Sequence, residues 1–387
     1  MTGPFAAAVS EHPLATQATG EVVGEVLEKL DGVPDLAVLF VTGPHRGVLE
    51  DIASTVLQLL APGTLVGATA VSVLAGPQEV EEVPAVSLWA GRIGPTSARH
   101  LDLVEQGEGY ALVGVSDEDL DAAGAAILIA DPAFPTDAVI DALHASHPHL
   151  MVAGGVASAG GGPGMNRLVL DDRLHDRGAV LVLLDRDLPV EVVVSQGCSP
   201  IGRPLTVTRS ERNMLLELAG RPALDRLQET LAELDDAGRS AAASGLHLGR
   251  VVDEHLLDFG MGDFLVRNVL GADQSNGAVA IGDLVEVGST VQFHVRDAAS
   301  ADTELRQLLD ERHGESALVF TCNGRGIRLF GEPDHDASII AETLGTNAVA
   351  GMFCAGEVGP VGGRSFLHGF TAVTVIFRSP PSLRFLG

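Results

Sequence analysis

The chain has 387 residues, of which 46% are hydrophobic, and its formal net charge at pH 7 is −28. This acidic balance argues against a sequence-unspecific nucleic-acid binder, because such proteins neutralise phosphates with clustered lysines and arginines. No apolar run reaches the length of a membrane span, and a chain of this length is expected to fold into two or three domains.

The few cysteines and the single lysine limit which compartment and which kinds of active site the sequence favours. Cys198, Cys322 and Cys354 lie far apart without metal-ligand spacing, which fits reduced thiols in the cytoplasm better than a disulfide framework. The N-terminal stretch MTGPFAAAVSEHPLATQATGE lacks the basic and apolar regions of a secretory signal. The single lysine, Lys29, argues against Schiff-base chemistry and leaves no Walker A phosphate loop. We therefore expect a cytoplasmic protein.

An internal repeat organises the predicted elements. Three short apolar runs end in turn-forming residues, as buried strands do; they cover residues 36–43, 125–132 and 316–323. Each run is followed by a helical stretch and then by a glycine-bearing strand, where Gly67, Gly154 and Gly351 fall at equivalent places. A further strand closes each copy, at residues 85–91, 179–185 and 370–377. The sequence thus predicts three βαββ repeats.

The spacing of the repeats indicates the fold class. The first two repeats are offset by roughly ninety residues, which is too long for a solenoid and favours a duplicated α/β layer. We predict a mixed α/β fold of two lobes, in which mixed sheets built from the βαββ repeats are flanked by helices. Glycine and proline residues near 197–205 mark the expected domain boundary.

The region between the second and third repeats has a different pattern. It predicts a hairpin over residues 204–220 and then a helix to residue 234 with leucines on one face. Residues 235–245 are the loosest stretch and predict a flexible connection, while residues 285–297 predict a pair of strands.

Several motifs, taken in order, carry a family resemblance. They are GCSPIGRPLTVTRSERNMLLELAGRPALDRL, FLVRNVLGAD, VQFHVRDA, ALVFTCNGRGIRLFGEPDHDA and AGEVGPVGGRSFLHGFTA. Together they resemble the FIST family over residues 35–378. The resemblance implies an N-terminal extension (residues 1–30), a FIST N-terminal domain (31–197) and a FIST C-terminal domain (198–387). It further implies an intracellular sensory protein for signal transduction that binds small ligands such as amino acids. In many members the module is joined to signalling domains, and none is attached here, so we expect a stand-alone protein.

The glycine-rich stretch 351–363 has two interpretations. Glycines in a strand permit close packing, or they form a backbone wall against which a ligand lies. A glycine shared by all three repeats favours packing at Gly351, whereas the third repeat alone adds Cys354, Glu357, Arg364 and His368. These extra residues indicate that 354–368 line a site.

The sequence CNGRG, residues 322–326, ends a predicted strand, where ligand-binding loops of α/β sheets gather. Asn323 and Gly324 could present backbone donors, and Arg325 could pair with a ligand carboxylate through two hydrogen bonds. The alternative is a plain tight turn with a solvated arginine. Cys322 is either a small core residue or a thiolate favoured by the neighbouring arginine.

Other polar positions complete the predicted site. Arg267, next to Asn268, lies among apolar residues and needs a partner, for which Glu357, Asp263 or an anionic ligand are candidates. The predicted ligand-binding residues are Arg267, Asn268, Cys322, Asn323, Gly324, Arg325, Gly351, Cys354, Glu357, Arg364 and His368. The motif DHD at 334–336 predicts helix N-capping by Asp334 or Asp336. HASHPH at 144–149 lacks a completing ligand set, so we predict no metal site.

These observations favour a ligand sensor without catalytic residues, in which Arg325 or Arg267 anchors a carboxylate and Glu357 an ammonium group. One tryptophan and one tyrosine argue against a stacking site for nucleobases or flavin. Three alternatives stay open. The first is a haem-binding gas sensor, as some FIST relatives are understood to be, with His368 or His294 as axial ligand. The second is an enzyme that uses Cys322 or Cys354 with His368. The third is a protein-interaction module without a ligand.

Overall fold

The structure is a computed structural model that describes residues 2–107, 109–162, 164–256, 258–260 and 262–380. The chain forms two compact units. Residues up to Val194 and from Leu308 onwards form the larger unit, and Ser195–Gln307 forms the smaller one. The mixed α/β class predicted from the sequence is confirmed. In the described part of the chain, no helix is long and apolar enough to cross a membrane.

The elements are numbered in chain order. The strands are β1 (Phe5–Ser10), β2 (Leu36–Thr42), β3 (Thr64–Ala70), β4 (Ser72–Ala75), β5 (Gln78–Glu81), β6 (Val86–Gly91), β7 (Ser97–Gln106), β8 (Gly109–Val113), β9 (Ala123–Ala130), β10 (Met151–Val156), β11 (Leu168–Leu170), β12 (Arg173–His175), β13 (Ala179–Asp185), β14 (Val190–Ser195), β15 (Cys198–Glu211), β16 (Met214–Leu218), β17 (Arg221–Pro222), β18 (Leu246–Val251), β19 (Phe264–Asp273), β20 (Ala278–Ile281), β21 (Thr290–Arg296), β22 (Ser316–Cys322), β23 (Val349–Cys354), β24 (Glu357–Val361), β25 (Arg364–His368) and β26 (Ala372–Phe377). The helices are α1 (Ala15–Lys29), α2 (Leu49–Leu60), α3 (Asp117–Ala122), α4 (Thr136–Ser146), α5 (Ala223–Ala232), α6 (Asp236–Ser244), α7 (Ala298–Asp310), α8 (Ile327–Phe330) and α9 (His335–Leu344), with a 3-10 turn at Gly43–Val48.

The three βαββ repeats are confirmed, and they build the larger unit. In each repeat the first strand pairs in parallel with the glycine-bearing strand and antiparallel with the closing strand. The parallel pairs are β2 with β3, β9 with β10, and β22 with β23. The antiparallel pairs are β2 with β6, β9 with β13, and β22 with β26. The repeats therefore share one topology.

The equivalent glycines have a structural role. Gly67, Gly154 and Gly351 each lie opposite a residue of the parallel neighbouring strand: Leu39, Leu128 and Val319 respectively. A Cβ atom at these glycines would lie 1.9, 1.9 and 2.0 Å from the carbonyl oxygen of that residue. These distances are far shorter than a van der Waals contact, so the two parallel strands can pair at this spacing only if the residue is glycine.

Each repeat also contributes a hairpin to the sheet of another repeat. The hairpin β4–β5 of the first repeat pairs with β23 of the third, β11–β12 of the second pairs with β3 of the first, and β24–β25 of the third pairs with β10 of the second. The larger unit consequently contains three mixed sheets linked by this cyclic exchange. Its main core lies among their inner faces, with Phe40, Trp89, Phe320 and Phe377 wholly buried.

Residues 2–30 belong to the larger unit. Strand β1 pairs antiparallel with β6, and α1 packs its buried valines on the same sheet together with α2. The apolar side chains of α1 recur at helical spacing and so lie on one face of the helix. This face packs against the sheet of the first repeat and shields it from water.

The smaller unit is an antiparallel sheet in the order β15-β21-β18-β19-β20-β16-β17, and an additional pairing of β15 with β16 closes it on itself. The predicted hairpin and the helix α5 are present. Two predictions were wrong. Residues 235–245 form the helix α6, because Asp235 caps it through the Gly238 amide. Residues 285–297 hold only one strand, because Gly288 turns the chain with a φ of 99° before β21.

Candidate functional site

The C-terminal ends of β22 and β23 meet in the larger unit, where Cys322 and Cys354 are paired in register. Beyond β22 the chain makes a tight turn. The Asn323 amide donates to the Cys354 carbonyl at 2.9 Å, and the Arg325 amide donates to the Cys322 carbonyl at 2.8 Å. The turn ends at Gly326, whose φ of 61° suits glycine, and α8 follows. This edge brings together most of the residues predicted from the sequence.

Arg325 is wholly buried, so the prediction of a solvated arginine in a plain turn is wrong. Its Nε and Nη2 donate to the two carboxylate oxygens of Asp336 at 2.6 and 2.8 Å. Thr321 donates to the same carboxylate at 2.8 Å, and the Phe330 ring lies 5.2 Å from the guanidinium. Burial raises the pKa of Asp336, but the Arg325 guanidinium outweighs burial and holds the pKa well below its usual range. The cation is therefore already balanced by a protein anion.

The N-capping expected from the DHD motif at 334–336 is wrong as well. Asp334 occupies the N-cap position of α9 without a capping hydrogen bond from its side chain. Its Oδ1 instead accepts the Glu79 amide at 2.6 Å. Asp336, inside the first turn of α9, is buried against Arg325. Both carboxylates therefore bind groups outside α9 and do not cap the helix.

Glu357 begins β24 and is wholly buried. Its Oε2 accepts the amide and the hydroxyl of Thr371 at 3.0 and 2.9 Å. Burial raises the pKa of Glu357 to about 8, although the Thr371 hydrogen bonds, the Arg325 charge and the Cys322 thiol each lower it in part. Burial therefore favours the neutral form of this carboxyl.

A second buried carboxyl, Glu79, was missed by sequence reasoning. It lies on β5 of the exchanged hairpin and accepts the Ala337 amide at 3.0 Å. Burial raises its pKa to about 8, and the nearby Asp336 charge adds to the effect. Burial does not alternate along β5, because Glu79 and the following Val80 are both buried, and glutamates in a short polar strand are normally exposed.

The segment that holds Glu357 has an unusual backbone. Phe370, directly before Thr371, has a φ of 69°. A bulky residue in the left-handed region is a genuine outlier, and such strain clusters at ligand-binding and switching segments. Gly369 beside it is exposed. The residue that follows this strained position, Thr371, is the one that donates both hydrogen bonds to the Glu357 carboxyl.

The two cysteines and His368 have distinct surroundings. Cys354 is wholly buried and burial raises the pKa of its thiol. Cys322 is partly exposed, and the Gly324 amide donates to its sulfur at 3.4 Å. His368 is 4% exposed, and its Nε2 lies 2.9 Å from the Gly359 carbonyl oxygen.

Other predicted site residues lie elsewhere. Arg364 pairs at the surface with Asp141 at 2.6 Å. Arg267 and the exposed Asn268 belong to the smaller unit, and Arg267 pairs with Asp283 at 3.1 Å rather than with the carboxylates proposed for it. Gly351 lies buried inside its sheet, where strand packing accounts for the missing side chain.

The haem alternative depends on the surroundings of His368 and His294. His294 is 3% exposed, its Nδ1 lies 3.0 Å from the Gln292 carbonyl oxygen, and the Phe264 ring packs against it. Burial lowers the pKa of His294 to about 4. Both histidines are buried, and one ring nitrogen of each lies at hydrogen-bond distance from a backbone carbonyl oxygen, so these side chains do not fit a haem as they stand. Within the described ranges, no cluster of three or more His, Cys, Asp or Glu residues could hold a metal ion.

A cavity of about 770 Å³ lies elsewhere in the larger unit. It runs along the start of β1 and the loop 345–348, and Lys29 and Glu315 bring opposite charges to its lining. None of the residues predicted from the sequence contributes to this lining. It offers a second place where a small polar molecule could be accommodated.

Comparison with known proteins agrees with the fold. The family model of the FIST N domain matches residues 35–221, and that of the FIST C domain matches residues 223–360. The chain therefore belongs to the FIST family, whose domains are associated with sensory ligand binding. It is 43% identical to the uncharacterized protein Mb0898c of Mycobacterium bovis over 95% of this chain and 97% of that one. It is 42% identical to the uncharacterized protein Rv0628c of Mycobacterium tuberculosis over 95% and 98%.

Proposed function

We propose that this FIST protein is a cytoplasmic sensor, without enzymatic activity, that binds a small ligand bearing an ammonium group. An amino acid is the expected ligand class, and Glu357 is the residue that meets the ammonium. The family supplies the ligand-binding role. The observation that carries the choice of ligand is the wholly buried Glu357 carboxyl, which accepts two hydrogen bonds from Thr371 and whose pKa is raised by burial.

The charges around Glu357 favour a cation over an anion. Arg325 is balanced by Asp336, so it has little positive charge left to attract a ligand carboxylate. Glu357 carries its proton because burial disfavours the ionised form, and an ammonium group beside it would reverse that preference. Binding should therefore expel a proton from Glu357 and create an ion pair inside the protein.

Access to this carboxyl requires the turn 369–371 to move. Thr371 lies over Glu357, and the strained Phe370 makes the closed conformation less stable than an ordinary turn would be. Strain of this kind costs on the order of 1–3 kcal/mol. A ligand that replaces the Thr371 contacts could open the turn at modest cost and so report its presence to a signalling partner.

The test is isothermal titration calorimetry at pH 7 with a chain-matched trio of alanine, ethylamine and propionate. We expect alanine and ethylamine to bind and propionate to fail. Repeating the titration in buffers of different ionisation enthalpy should show that ligand binding releases a proton, because burial favours the protonated form of Glu357. Binding of propionate as tightly as ethylamine would refute the proposal.

Two matched variants locate the site. Glu357→Gln should weaken ethylamine binding by about tenfold to a hundredfold, the value of a charge-assisted hydrogen bond of roughly 1.5–3 kcal/mol, and should abolish proton release. Glu315→Gln, in the lining of the separate cavity, should leave both unchanged. If Glu315→Gln weakened binding and Glu357→Gln did not, the ligand would bind in that cavity, and the role given to Glu357 would be wrong.

The haem-binding alternative stays a prediction with a simple measurement. Purified protein that carries haem absorbs strongly near the Soret band, and replacement of His368 or His294 would shift or remove that band. A colourless protein that also binds no added haemin would exclude this alternative.

A further inference from the structure

Two of the three cysteines are neighbours in the fold. Cys322 is the last residue of β22, Cys354 is the last residue of β23, and the parallel register places them opposite each other. Adjacent strands lie about 4.8 Å apart, and the Cα atoms of a disulfide are usually roughly 4.4–6.8 Å apart. In-register residues of parallel strands also direct their side chains to the same face. The pair therefore satisfies the main distance requirement for a disulfide.

We propose that Cys322 and Cys354 form a reversible dithiol–disulfide site that is oxidised by a hydroperoxide. The proposal rests on the register of two strands and the surroundings of two sulfurs. Because the Cys322 thiol also contacts Glu357, the experiments below use protein without added amine. Cys198 belongs to the smaller unit and serves as an internal reference.

Exposure and hydrogen bonding assign the two cysteines different roles. Cys322 is partly exposed, and its sulfur accepts the Gly324 amide at 3.4 Å, a contact that stabilises a thiolate. Arg325 of the same turn is already paired with Asp336, so the Gly324 amide is the contact that favours the thiolate. Cys354 is wholly buried, and its thiol points to the Met352 carbonyl at 3.5 Å. Cys322 is thus the residue that a peroxide reaches, and Cys354 is the resolving thiol.

The reaction balances with the peroxide as the sole oxidant. The Cys322 thiolate attacks one peroxide oxygen, the O–O bond breaks, and the departing hydroxide takes up the proton that the thiol lost. The Cys354 sulfur then attacks the resulting sulfenic acid, an S–S bond forms, and the S–O bond breaks with loss of a second water. Two thiols have together donated two electrons, and one hydrogen peroxide has become two waters.

Closing the bond needs only a small local movement. Cβ atoms of a disulfide lie roughly 3.5–4.5 Å apart, so strand neighbours must approach by up to about 1 Å. Both cysteines end their strands, where the backbone is less constrained than in a sheet interior. Gly155 lies against the Cys354 sulfur and leaves it room, since a Cβ there would lie 2.4 Å from Sγ.

Peptide mapping gives the direct test. Trypsin separates the two cysteines, because Cys322 falls in the peptide 313–325 and Cys354 in the peptide 329–364. After treatment of the native full-length protein with equimolar hydrogen peroxide, we expect these two peptides joined by a bond that dithiothreitol reverses. The thiol titre in denaturant should fall from three to one, with Cys198 remaining.

Variants separate the proposed roles. Cys354→Ala should leave a sulfenic acid on Cys322 that dimedone traps, and Cys322→Ser should prevent oxidation at both positions. Cys322→Ser replaces a partly exposed residue, so its fold can be verified by circular dichroism even if the buried Cys354 variant is unstable. We expect Cys322 to react at least about tenfold faster than Cys198. Equal rates at the two residues, or absence of the joined peptides, would overturn the proposal.

Discussion

Replacing Asp336 by asparagine removes the carboxylate that balances Arg325 inside the larger unit. Both side chains are wholly excluded from water, and two hydrogen bonds of 2.6 and 2.8 Å join them. Breaking a buried pair by removing one partner costs about 3–5 kcal/mol, because an uncompensated charge stays behind. For a cooperatively unfolding chain of 387 residues this corresponds to a fall of roughly 4–6 °C in the thermal midpoint.

The assay is thermal unfolding followed by circular dichroism at constant pH and salt. Asp141→Asn is the matched control, since it breaks the Arg364 ion pair of the same 2.6 Å length at an exposed site, and surface pairs contribute about 0–1 kcal/mol. The double variant Arg325→Met/Asp336→Asn should recover at least half of the loss. If Asp336→Asn and Asp141→Asn shift the midpoint equally, the reasoning from burial is wrong.

Further predictions concern ionisation, packing and cross-links. Glu79 and Glu357 have native pKa values raised from 4.5 to about 8, so their protonated forms stabilise the fold at low pH and this contribution is lost as pH rises toward 8. At pH 8 the stabilising free energy lost is at most about 4 kcal/mol per group. With glutamine at either position, the thermal midpoint should therefore fall less between pH 5 and pH 8 than it does in the unsubstituted protein. Unchanged slopes in both variants would contradict the assignment. Gly351→Ala should lower the free energy of unfolding by more than about 3 kcal/mol or prevent folding, because its Cβ would lie 2.0 Å from the Val319 carbonyl oxygen. Gly369→Ala is the control: its Cβ would meet nothing, so the free energy of unfolding should change by no more than about 0.5 kcal/mol. Equal effects of the two substitutions would count against the packing role of Gly351. Chelators and dithiothreitol should leave the midpoint of the reduced protein unchanged, and a sharp fall would reveal a metal or disulfide that supports the fold.

The repeats could be predicted because their signal is local. Buried parallel strands are apolar along their whole length, and glycine marks the place where two backbones come closest. Gly67, Gly154 and Gly351 therefore identify equivalent strands by sequence alone. The same local logic failed for residues 235–245, where small polar residues resembled a linker although Asp235 provides a helix cap.

The hairpin exchange lies beyond local sequence patterns. Strand β4 leaves the sheet of its own repeat and pairs with β23, which is more than 270 residues later in the chain. A hairpin has the same alternation wherever it docks, so periodicity cannot name its partner strand. This exchange brings Glu79 to Asp336, which explains why the second buried carboxyl was missed.

Sequence patterns indicated which residues lie near one another better than they indicated their partners. Cys322, Asn323, Arg325 and Cys354 lie where β22 and β23 end, and Glu357, from the neighbouring sheet, interacts with Cys322 and Arg325. The sequence could not identify Asp336 as the partner of Arg325, because an aspartate at the start of a helix is equally typical of an N-cap. Arg325→Ala is consequently expected to destabilise the fold, so a loss of ligand binding in that variant would not separate a binding role from a structural one.

The central claim is that Glu357 holds a proton until an ammonium group arrives. Difference infrared spectroscopy at pH 7, with and without ethylamine, observes the C=O stretch of a protonated carboxyl, and Glu357→Gln assigns the band. The account predicts that ethylamine removes this band in the unsubstituted protein and that the variant shows no such change. A Glu357 carboxyl that is already ionised without the amine, or one that keeps its proton when the amine is bound, would contradict it.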